Sequence, residues 1–387
     1  MNRAFVIRLS HLVALAVSSL IPLIAPQPAR AEGGAWPLVG QLGGGLPYFV
    51  AVNGDYAYIA ALGAMTVVDV SSPGQPRQIG FCDTPGEAVG VAVAGAYAYV
   101  ADGTSGLRVI NVSNAAAPVE VGSCDTPGYA YGVAVAGGYA YVADGSAGLR
   151  VIDVSDPAAP LEVGFLDTPG TAYHVAVAGG YAYIADGASG LRVINVSNAA
   201  APVEVASWGT PGTAHHVVVA GGYAYVAHGS AGLRVIDVSD PAAPVEVGYL
   251  DTPSLAVGVA VAGGYAYVAG YDAGLRVISI SNPAQPVEIG YYGTLGSIND
   301  VAVAGEYAYV ADWSAGLRVI DVSDPAAPLE VGFCDTPGYA YGVAVAGGYA
   351  YVADGSAGLR VIDVSDPAAP LEVGFLDTPG TAYHVAV

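Results

Sequence analysis

This chain has few side chains with which to perform chemistry. Six histidines are present and lysine is absent. His174 and His216 hold the same phase in consecutive units of a sequence repeat, and Asp300 holds it two units after His216. Imidazole together with carboxylate suits a divalent transition metal. Two imidazoles on neighbouring strands could share one ion or one small ligand. A ligand or metal is therefore expected, if anywhere, at His174 and His216, with Asp300 facing the same opening. Polar variation at a solvated opening is the plainer explanation. His215 beside His216 suggests drift, and His384 belongs to a duplicated block.

Other chemistry is poorly supported. The sequence contains no G-x-S-x-G, no H-E-x-x-H, no P-loop and no EF-hand loop, so no catalytic residue is assigned and no cofactor is required. Asp102, Asp144, Asp186, Asp312 and Asp354 recur at one phase, before or within a turn. Carboxylates can bind Ca²⁺, but Asp before Gly reads more simply as a turn residue satisfied by its own backbone. Cys82, Cys124 and Cys334 share one phase with Leu166, Trp208, Leu250, Tyr292 and Leu376. That phase calls for an apolar group, so the three thiols are expected free.

The elements that must position these residues are set by the repeat. Gly-Leu-Arg-Val-Ile recurs with its Arg at 108, 150, 192, 234, 276, 318 and 360, an interval that never slips. A degenerate earlier copy is Met65-Thr66-Val67-Val68-Asp69. Within one unit, His174–Ala178, Tyr181–Ala185, Leu191–Val196 and Val203–Trp208 read as strands. They are separated by Gly179-Gly180, Asp186–Gly190 and Ser197–Pro202. A period of about 40–45 residues that holds four short antiparallel strands is one propeller blade. The Gly-Gly hairpins reverse the chain, which argues against a parallel β-helix. The fold class is all-β, a β-propeller of four-stranded blades, with eight blades expected and seven the alternative count. Residues 49–387 carry the repeats, the last incomplete. Residues 32–48 are expected to add an outer closing strand around Pro37–Val39.

The repeat resembles the LVIVD-repeat family through Leu149-Arg-Val-Ile-Asp-Val-Ser-Asp-Pro-Ala-Ala-Pro-Leu-Glu-Val-Gly164. Gly179-Gly-Tyr-Ala-Tyr-Ile-Ala-Asp186 carries it too. The resemblance covers about residues 37 to 387. It implies bacterial or archaeal secreted or cell-surface propellers with no settled activity or cofactor. Arg replaces the second apolar residue of the family line, which does not disturb the expected fold.

The N-terminus reads as a secretory leader over residues 1–31. Arg3 and Arg8 precede an apolar run from Leu12 to Ile24, and Ala29-Arg30-Ala31 supplies the cleavage pattern. The chain is thus expected secreted or at the cell surface, monomeric and without a membrane span after cleavage. Its formal net charge is −22. That disfavours nucleic acid and leaves protein or carbohydrate as partners. Residues 124–177 are identical to 334–387, a sign of recent duplication, and the mid-strand stop suggests a truncated chain. A binding or scaffold module is the leading function. An extracellular propeller enzyme, a hydrolase or lyase with its site at the channel mouth, is the alternative.

Overall fold

The structure, a computed structural model, describes residues 47–376 apart from 54, 70, 72–76, 210, 211, 295 and 356. The expected closing strand at Pro37–Val39, the leader and the incomplete ninth unit lie outside the described residues. The chain is all-β, with eight sheets in succession that form the eight blades of a propeller. Among the described residues blade 1 contributes three strands, Pro47–Asn53, Tyr56–Asp69 and Arg77–Glu87. Blades 2 to 8 each contribute four, paired antiparallel in chain order. Blade 4, for instance, runs His174–Ala178, Tyr181–Ala185, Leu191–Asn195 and Val203–Trp208.

Turn chemistry explains the hairpins. Gly137 and Gly138 adopt φ of 60° and 85°, the left-handed pair that a tight two-residue hairpin between twisted strands requires. The first strands register residue for residue, with His174 opposite Ala185 and Ala178 opposite Tyr181. The outer strand carries a bulge in blades 2 to 8, as between Val151 and Ile152 of blade 3. A bulge twists the free edge away from further pairing.

The core lies between blades. Strand alternation sends Tyr141, Ala143, Leu149 and Val151 of blade 3 forward onto Ala172, Val175, Ala182, Ile184 and Ile194 of blade 4. Ala140, Val142 and Ile152 of the same blade face backward onto Tyr99, Leu107 and Val109 of blade 2. Bulky Tyr on one face thus meets small Ala on the next, so the sheets interdigitate. Burying a Leu or Ile side chain fully contributes about 1.5–3 kcal/mol, and Leu149, Ile152, Ile184 and Leu191 are fully buried. The same pattern closes the ring. Ala57 and Val68 of blade 1 pack against Tyr351, Ala353, Leu359 and Val361 of blade 8.

The inner strands lie side by side around the axis, Gly90–Ala94 between Pro47–Asn53 and Gly132–Ala136, and so on to Gly342–Ala346. Their first residues therefore ring one mouth of the central channel. Each linker from an outer strand to the next inner strand crosses the same face.

Candidate functional site: the mouth face of the ring

The linkers are built from carboxylate clamps. Asp144 of blade 3 is fully buried. Its Oδ1 accepts from Thr126 Oγ1 at 2.6 Å and its Oδ2 from the Gly128 amide at 2.8 Å. Asp102 holds Thr84 and Gly86 in the same way, and Asp186 holds Thr168 and Gly170. Backbone bonds such as Ala147 N–H to Asp144 O close the turn, freeing the carboxylate to reach across to the linker. The sequence reading of a self-satisfied turn residue is corrected accordingly. These carboxylates are spoken for by the linker rather than turned toward an external cation. Burial raises the pKa of Asp102, Asp144 and Asp186, against the lowering effect of the Thr, Gly and Arg contacts.

The linker also grips the blade it leaves. Arg108 donates to Asp125 Oδ1 at 2.8 Å and to the Ser105 carbonyl at 2.8 Å, and lies 3.7 Å from Glu120. Arg150 repeats this with Asp167 at 2.7 Å, and its guanidinium stacks 4.7 Å from the Phe165 ring centre. Ala130 bridges back to Gly103. Consecutive linker residues thus hold alternate blades. Gly128 must lack a side chain, because a Cβ there would stand 2.0 Å from the Asp144 carbonyl. Blade 6 shows the converse. Gly270 replaces the Asp, Ser254 replaces the linker Gly, and Thr252 donates instead to the Ser254 carbonyl at 2.6 Å.

Of the three residues singled out by phase, two meet. The rings of His174 and His216 lie with centres 4.2 Å apart and planes inclined 35°. Each begins an inner strand, in blades 4 and 5, and each is half-buried. Asp300 does not join them. It begins the inner strand of blade 7, with blade 6 in between, and its Oδ2 accepts from the Val343 amide of blade 8 at 3.1 Å. Its Oδ1 leans over Gly258, 3.5 Å from where a Cβ would be. Among the described residues no three His, Cys, Asp or Glu side chains are grouped with metal-binding spacing.

Sequence reasoning missed the aromatic lining of this face. Gly90, Gly132, Gly258 and Gly342 are buried, so a bare backbone at that phase does not by itself open the mouth. The residues one and three places earlier supply rings. Tyr129 and Tyr131 lie 4.6 Å apart, Tyr131 and Tyr173 5.4 Å, and Tyr173 and His215 6.0 Å. Tyr129 donates to the Glu87 carboxylate at one end of this arc. Farther round, Trp313 and Tyr339 lie 5.1 Å apart. Tyr271 and Trp313 adopt φ of 49° and 37° where other blades place glycine. That left-handed conformation costs a non-glycine residue on the order of 1 kcal/mol. The signal was present in the sequence as variation among Val, Tyr, His and Asn just ahead of each inner strand.

Comparison with known proteins bears on this architecture. The LVIVD repeat model matches residues 46–84, 85–126, 127–168, 169–210, 211–252, 255–294, 295–336 and 337–378. The chain belongs to the LVIVD repeat family. Each match spans one blade of the ring, so the LVIVD repeat and the structural blade coincide. Among solved structures, the computationally designed protein Ika8 superposes with a TM-score of 0.70 at 9% identity, over 85% of this chain and 97% of that one. Chaetomium thermophilum Sqt1, bound to the N-terminus of ribosomal protein L10, gives 0.66 at 15% identity over 80% and 94%. BamB from Moraxella catarrhalis gives 0.61 at 14% over 81% and 92%. At these identities the likeness is one of fold. No match was found among curated proteins.

Proposed function

We propose that this LVIVD-repeat propeller is exported and works as a binding module without catalysis of its own. Its partner, a protein or carbohydrate at the cell surface, seats on the mouth face. The observation that carries this is where the repeats differ. Between blades the residues are near copies, because every blade must fill the same interface. On the mouth face they diverge, and the divergent residues in blades 3 to 5 are rings in contact with one another. Partly exposed Tyr rings bring a large apolar surface with a polar tip, at small entropic cost. Propellers similar in fold support the reading, Sqt1 holding a protein N-terminus among them. The enzymatic alternative needs a titrating acid–base pair at the mouth, and Asp300 is already engaged by Val343.

Two measurements test the reading. The mature N-terminus, read by mass spectrometry on protein from the native host, should be Glu32, and Met1 would rule out export by the leader. Glycan and peptide arrays should register ligands for the wild type that Tyr131→Ala and Tyr173→Ala lose. Phe165→Ala, on the outer strand of blade 3, should keep them. Loss through Phe165→Ala alone would move the site off the mouth.

A further inference from the structure

We infer that His174 and His216 form a site for one first-row divalent cation that favours imidazole, Zn²⁺ or Cu²⁺, at the channel mouth. This goes beyond the proposed partner binding and stands independently of it.

The geometry supports the site at four points. The two residues hold the same register on adjacent inner strands, opposite Ala185 and Ala227, so their backbones present the side chains alike. Their ring centres are 4.2 Å apart and the planes inclined 35°. A zinc-bound imidazole nitrogen sits about 2.0–2.1 Å from the metal, and small rotations of the two rings bring one nitrogen of each onto a shared ion. Both Nδ1 atoms are buried, so Nε2 is the nitrogen assigned to the ion. Tyr173 and His215, the residues just before them, also stack on one another at 6.0 Å, which ties the two blades together where the inner strands begin.

The neighbouring blades place no side chain of their own at this phase. Gly132 and Gly258 flank the pair on either side at the same strand position. Only two protein ligands are supplied, so water or an external donor fills the remaining positions, as in open sites. The Asp300 Oδ1 above Gly258 adds negative charge on that side without reaching the ion. The formal charge of −22 concentrates cations at the surface generally. Imidazole selects transition metals over Ca²⁺ and Mg²⁺, which prefer oxygen.

The substitutions that test this are supplied by the repeat itself. His174→Gly and His216→Gly restore the residue that blades 2, 3, 6 and 8 carry, so the fold is retained. Calorimetry with Zn²⁺ on the full chain at pH 7.5 should find one site per chain. Each variant should bind at least tenfold more weakly, while His228→Asp binds as the wild type does. Binding should weaken as the solution is acidified, because a protonated imidazole cannot ligate a metal. With Cu²⁺, electron paramagnetic resonance should show two coordinating nitrogens, falling to one in either variant. Equal Zn²⁺ affinity in wild type and both variants would overturn the site, as would a Cu²⁺ spectrum unchanged by them. Loss of Zn²⁺ binding that leaves array ligands bound separates this site from the partner surface.

Discussion

At the level of single residues, the breaks in the repeat carry the most information. His228 stands where five other blades place Asp, the clamp residue in blades 2, 3, 4 and 8, and it is fully buried. Burial lowers its pKa to about 4. An unfolded chain takes up that proton near pH 6.5. The stability gained by keeping His228 neutral is therefore present above pH 6.5 and lost as pH falls to about 4, up to about 3 kcal/mol. The buried clamp Asp residues have the opposite sign. Their pKa values are raised, so their contribution is complete below the unfolded carboxylate range and lost as pH rises through the raised values. His228→Asp should therefore lose less thermal stability than the wild type between pH 6.5 and 4, read by circular dichroism melts. Parallel melting curves would show that His228 is not the acid-sensitive group. The three cysteines are free, and burial raises their pKa, that of Cys334 to about 11. A thiol reagent at pH 8 should label none rapidly in the native protein and all three after denaturation.

At the level of elements, the linker is the device that fixes one blade to the next. Thr126→Val removes a donor from a fully buried carboxylate and should cost about 1–3 kcal/mol. Gly128→Ala forces a methyl group to within 2.0 Å of the Asp144 carbonyl unless the backbone moves. It should destabilise by about 1–3 kcal/mol. Ser254→Gly in blade 6, where no clamp Asp exists, should change stability by less than about 0.5 kcal/mol. Urea midpoints measured on the three variants check the ordering. A Thr126→Val protein as stable as the wild type would mean that the clamp is incidental.

At the level of the whole molecule, the ring depends on its seam. Leu359 belongs to the cluster that joins blade 8 to blade 1, and Leu233 sits in the equivalent cluster between blades 5 and 6. Both are buried almost completely. In a closed ring both Leu→Ala substitutions leave cavities, so each should cost about 2–5 kcal/mol in chemical denaturation. A Leu359→Ala cost far below that of Leu233→Ala would mean that the ring is open in solution. A closed ring also buries the faces that terminal repeats of an open array would expose.

The period, the strand positions, the hairpin glycines and, with seven as the alternative, the count of eight blades were legible in the sequence. They follow from local alternation and turn chemistry, repeated often enough to leave one architecture. The adjacency of His174 and His216 was legible too, since equal phase in consecutive units places residues on neighbouring inner strands. The fate of Asp300 was not. Whether a carboxylate at that phase faces the channel or takes the Val343 amide depends on how two later blades approach it. The turn Asp was misread for the same reason: its partners, Thr and Gly of the linker, lie 18 and 16 residues earlier. The sequence alone determined the ring and its repeat, because those rest on short-range periodicity. The aromatic arc and the clamps were decided only by the tertiary structure, because they arise where separate stretches of chain converge on one face.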